Sequence, residues 1–176
     1  MRLSFSTLRR GAAATLVLLA VVSCGEERAT GPEAAATALG LGATGLVQCP
    51  TDLSFSAQDL VTPLGGLVSA AGSSISLPAG AVTLPTLITL TVPASKYVEI
   101  DVKANNLLSF LFDQPVSITI DYSRCSRSDI DREPLEVWHI DPLTKQLIEK
   151  MESVDDKENR TISFTTGHLS GYAIAF

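Results

Sequence analysis

Apolar and polar residues alternate with period two through most of the chain beyond residue 53. Ile88, Leu90 and Val92 alternate with Thr89 and Thr91, and Val98, Ile100 and Val102 with Glu99 and Asp101. Val116, Ile118, Ile120 and Tyr122 alternate in turn with Ser117, Thr119 and Asp121. Each pattern predicts a strand with one apolar face and one facing water. Residues 107–112 are almost wholly apolar and predict a strand buried on both faces, flanked by turn chemistry at Asn105-Asn106 and Asp113-Gln114-Pro115. Residues 135–140 read as a strand, 141–145 as a turn and 146–150 as its return. A charged turn at 155–160 precedes Ile162 and Phe164, and Tyr172, Ile174 and Phe176 share a face of a last strand. Helical spacing is not sustained after residue 50. Short strands at regular intervals predict an all-β fold, an antiparallel sandwich or small barrel. A membrane barrel does not fit: the chain has only 10 aromatic residues, and its outward positions are rich in Thr, Ser and Asp.

The first 48 residues follow another pattern. Arg2, Arg9 and Arg10 precede an apolar run that ends Val21-Val22-Ser23-Cys24-Gly25. A charged head, apolar middle and small residue describe a secretory signal peptide. The 11 residues from 12 to 22 are too few for a spanning helix, which needs about 20. Val21-Val22-Ser23-Cys24 resembles the lipobox of bacterial lipoproteins. The resemblance implies cleavage after residue 23 and acylation of Cys24 by two or three chains, palmitate among them. Such anchors hold stably, at about 0.8 kcal/mol per buried methylene. Gly25, in place of an inner-membrane retention aspartate, implies the outer membrane where a cell has two.

Residues 25–48 contain 11 Ala or Gly among 24 and read as a flexible tether, so the domains are expected at 1–23 (signal-peptide helix), 24–48 (linker) and 49–176 (the β module). Gly40-Leu41-Gly42-Ala43-Thr44-Gly45 matches a dinucleotide-binding pattern but lacks the preceding strand and following helix, so no cofactor is expected there. Loss of the leader's three arginines leaves 10 basic against 19 acidic residues, which argues against nucleic acid as a partner. With Cys24 lipidated, Cys49 and Cys125 remain. Export favours a disulfide between them, and two buried free thiols are the alternative.

Gly65-Gly66-Leu67-Val68-Ser69 and Gly72-Ser73-Ser74-Ile75-Ser76-Leu77-Pro78-Ala79-Gly80-Ala81-Val82 form the most distinctive run. With Ile88-Thr89-Leu90, Pro115-Val116-Ser117-Ile118 and His168-Leu169-Ser170-Gly171-Tyr172-Ala173, it resembles the ZU-five domain over residues 58–176. That module occurs in netrin receptors, zonula occludens proteins and ankyrins. The resemblance implies an immunoglobulin-like antiparallel β-sandwich that docks partners rather than performing catalysis.

His139 and His168 are the only imidazoles, and HExxH, CxxC, GxSxG and phosphate-cradling lysine loops do not occur. No metal site is expected, and His139 reads as a half-buried structural residue. His168-Leu169-Ser170 resembles the His-Phe-Ser motif of self-cleaving relatives, the function-to-find domains, with Leu in place of Phe. It would imply attack by the Ser170 hydroxyl on the preceding carbonyl, with His168 as base, releasing only residues 170–176. The same three residues also serve as ordinary turn and strand. The acidic clusters at 129–133 and 155–158 lack EF-hand spacing and read as solvated loops. The expected function is a non-catalytic binding or scaffolding module on a membrane-anchored envelope lipoprotein, with an unknown protein or cell-wall partner. Self-cleavage and a structural accessory role in an envelope complex are the alternatives.

Overall fold

The computed structural model describes residues 45–107, 109–131 and 133–176. The expected signal peptide, Cys24 and the tether up to residue 44 lie outside these, as do Arg132 and the Asp129 side chain.

The described chain runs β1 (Gln48–Thr51), β2 (Phe55–Val61), β3 (Gly66–Ala70), β4 (Ser73–Leu77), β5 (Thr86–Val92), β6 (Ser95–Tyr97), β7 (Glu99–Ala104) and β8 (Leu111–Asp121). One helical turn, α1 (Arg127–Ile130), leads to β9 (Glu136–Ile140), β10 (Leu147–Met151), β11 (Ser153–Asp156), β12 (Thr161–His168) and β13 (Gly171–Ala175). One sheet has the order β10-β9-β13-β7-β5-β2, a second β11-β12-β8-β4-β3, and β1 pairs with β6. Every strand pairing among the described residues is antiparallel.

The alternating patterns account for the core. Ile88, Leu90, Ile100 and Val102 of the first sheet and Ile75, Ile118, Ile120, Ile162 and Phe164 of the second belong to one buried cluster. Thr89, Thr91 and Asp101 stand on the opposite, partly exposed face. β13 departs from alternation because both of its faces are covered. Tyr172 and Ile174 enter the main cluster, while Ala173 and Ala175 face a second one with Leu46, Tyr97 and Ile140. Residues read as tether pack here too, Leu46 in the second cluster and Val47 in the main one. Val47 donates to the Ile174 carbonyl and accepts from Val98, and Leu46 bridges Ala175. Packing therefore begins before residue 49, since two apolar side chains beside a mid-sheet strand gain more by burial than by solvation.

Residues 107–112 do not form the doubly buried strand that their composition predicts. Leu107 and Leu111 are 57% and 78% exposed. Asn105 and Asn106, both at positive φ, close a tight turn in which Leu107 donates to the Ala104 carbonyl at 2.8 Å, and β8 starts only at Leu111.

The Gly-Gly pair marks a close backbone approach. Gly65 has φ +88°, donates to Thr62, and leaves no room for a side chain: a Cβ there would lie 2.4 Å from the Leu77 carbonyl oxygen. Gly80 (φ +80°) donates to the Pro63 carbonyl, tying the Pro-Ala-Gly turn to the same corner. Gly65→Ala is therefore expected to cost about 2–3 kcal/mol, combining left-handed strain with a backbone clash. Urea unfolding measures it, and a midpoint equal to wild type would remove this account of the motif.

Candidate functional site

Asp141 starts the β9–β10 connection. Its carboxylate accepts the N–H groups of Thr144 (2.7 Å) and Leu143 (2.9 Å), and Lys145 closes the turn at φ 61°. Those donors hold the Asp141 carboxyl below the usual range, Thr144 contributing most. Asp156 repeats the device between β11 and β12: it accepts from Asn159 and Glu158, and Arg160 takes φ 57°. Asn159 is the main cause of its lowered pKa.

The hairpin that Asp141 begins is not regular. Leu147 opposes Ile140, but Glu149 opposes His139, so one extra residue, Ile148, is bulged between them. An unbroken register would have set Ile148 against His139. The bulge instead shifts Glu149 to the face of His139, and Ile148 turns outward at 54% exposure. On its other side His139 is paired with Tyr172 of β13.

The second sheet supplies His168 at the end of β12. Its ring centroid lies 5.1 Å from that of His139, and its Nε2 lies 3.7 Å from Glu149 Oε2. Ligand-type atoms of His139, Glu149 and His168 all fall within 4.8 Å of one another. They line an open cavity of about 460 Å³ together with Ser109, Leu111 and Ser170. Burial, reinforced by His168, holds the His139 imidazole below its ordinary pKa, and Glu149 acts in the opposite direction.

Tyr172 organises the floor of this site. Its hydroxyl donates to the His168 carbonyl oxygen at 2.6 Å and lies 3.3 Å from His168 Nδ1 and from Thr166 Oγ1. Burial pushes it up to about 12, so it stays protonated and available as a donor.

His168 and Ser170, which flank Leu169 in the motif that resembles a self-cleaving one, do share this cavity. Of the two ring nitrogens of His168, Nδ1 lies 3.3 Å from the Tyr172 hydroxyl and Nε2 faces Glu149 Oε2 at 3.7 Å. On either side of the peptide bond in question, the Leu169 N–H donates to Phe110 and the Ser170 carbonyl accepts from Val102, both as ordinary backbone bonds. Neither residue is among the described residues with positive φ.

Cys49 and Cys125 form a disulfide with their Cα atoms 5.1 Å apart. It fastens β1 to the loop after β8, where the Arg124 guanidinium donates to the carbonyls of Cys49 (2.9 Å) and Tyr97 (2.7 Å). In the second acidic cluster, Asp155 accepts from Tyr122 and pairs with Lys157 at 3.2 Å, so its carboxylate already has partners.

Sequence reasoning passed over Glu149 and the meeting of the two histidines. Linear spacing carries no signal for either, because a bulge and an inter-sheet contact create them. No protein-family model and no curated protein matches the chain.

Proposed function

We propose that the chain is an exported envelope lipoprotein, anchored by acylated Cys24 and presenting an immunoglobulin-like β-sandwich of the ZU-five type as a binding or scaffolding module. The observation that carries this reading is the Cys49–Cys125 disulfide, since structural cystines persist in oxidising compartments outside the cytosol. Two antiparallel sheets around one shared core support the sandwich. Loops at the ends of such a module are its natural contact surface, and the excess of acidic residues favours a protein or cell-wall partner over nucleic acid.

The test is the intact mass of the chain recovered from membranes. One acylated species beginning at Cys24 and running to Phe176 is expected, and Cys24→Ser is expected to abolish membrane association. A soluble precursor retaining residues 1–23 would overturn the proposal. The same spectrum decides against or for self-cleavage, which would remove residues 170–176 from the anchored piece. A purely structural accessory would differ in keeping its associations after substitution of the end loops.

A further inference from the structure

We infer that His139, Glu149 and His168 form a binding site for a first-row transition-metal dication of the zinc type. The site draws ligands from both sheets, and the inference does not depend on the lipid anchor.

The hydrogen-bond network around His168 is the first argument. The single hydroxyl hydrogen of Tyr172 goes to the His168 carbonyl, so the phenolic oxygen is left to accept from Nδ1–H. Nε2 is then the ring nitrogen that faces the Glu149 carboxylate, 3.7 Å away. An imidazole nitrogen and a carboxylate converging in this way are donor types that a zinc-type cation takes. A neighbour that holds the distal nitrogen protonated is also the usual outer-shell arrangement for a metal-bound histidine.

Geometry is the second argument. Tetrahedral zinc with bonds of about 2.0–2.1 Å separates its ligand atoms by about 3.4 Å. The three donors already lie within 4.8 Å of one another, with one pair at 3.7 Å, so small torsional adjustments complete the set. Glu149 belongs to the set only because the bulge at Ile148 re-aims it. The remaining position opens into the cavity beside Ser109 and Ser170, where water or a partner's donor could enter.

Donor chemistry selects the ion. Two imidazoles and one carboxylate suit zinc and its neighbours, whereas calcium and magnesium require a shell dominated by oxygen.

The test uses the full chain in detergent, stripped with chelator and titrated with Zn²⁺ alone, with Ca²⁺ as the comparison. One Zn²⁺ per chain is expected, at micromolar or tighter dissociation constant, with no corresponding Ca²⁺ heat. Glu149→Ala and His168→Ala should each weaken zinc binding by about tenfold or more, and Tyr172→Phe by about tenfold through loss of the orienting bond. Glu149 is 60% exposed, so its variant retains the fold, which circular dichroism and an unchanged melting temperature without metal would verify. Zinc should also raise the melting temperature of the wild-type chain and not that of the Glu149 variant. Absence of zinc heat would overturn the inference, as would zinc binding of equal strength in the Glu149 and His168 variants.

Discussion

Cys125→Ser is expected to lower the stability of the chain by about 4 kcal/mol, the largest effect of any single substitution considered. The disulfide spans a sequence separation of 76 residues, and in the chain-entropy model a closed loop of that length restricts the unfolded ensemble by about that amount. The native side of the balance adds to it. β1 and β6 make a two-stranded sheet of four and three residues, too small to persist by itself, and the cystine with Arg124 fastens it to the body of the fold. Urea unfolding of wild type with and without reductant measures the effect. Because the two sulfurs act as one cross-link, Cys49→Ser and the double variant should cost nearly the same as Cys125→Ser. Equal midpoints in oxidised and reduced wild-type protein would remove the cross-link from the account of stability.

Lys145→Ala is expected to cost about 2–3 kcal/mol. Glu99 is 4% exposed on β7, and its carboxylate meets Lys145 Nζ at 2.5 Å. Removing the ammonium leaves a buried charge unpaired, which typically costs 3–5 kcal/mol. The lower figure applies because Lys145 is 26% exposed and its departure admits some water. Replacing both partners with apolar residues, Glu99→Leu with Lys145→Met, should recover most of the loss, as the orphaned carboxylate is then gone. A double variant whose loss equals the sum of its single losses would show that the pair is not coupled.

Glu99 also shows where pattern reading meets its limit. Alternation places it on the polar side of β7, and it does lie opposite the main core. That side is nevertheless covered by Lys145 from the β9–β10 turn and by the second apolar cluster. The turn itself was readable, since Asp141-Pro142 and the charged run ending at Arg160 carry local chemistry that closes a hairpin whatever surrounds it. The misreading of residues 107–112 has the opposite cause: apolar composition signals burial only if another layer lies over it, and Leu107 and Leu111 have none.

His168 and Ser170 stood out in the sequence as a motif, and the cavity they share was visible only in the fold. Glu149 did not stand out. It enters through a one-residue register shift, and strand register is decided by competition between pairing and packing across the whole sheet.

By itself the sequence determined the alternating strands, β5, β7, β9 and β12 among them, because a period of two commits each side chain to one face before any partner is chosen. It also determined the turns and the availability of a cystine. Tertiary structure alone decided which strands are neighbours, that β13 is covered on both faces, and that two histidines 29 positions apart meet a glutamate across a bulge. Local pattern fixes the direction of a side chain, while its distance from a residue on another sheet follows from the packing of the whole core.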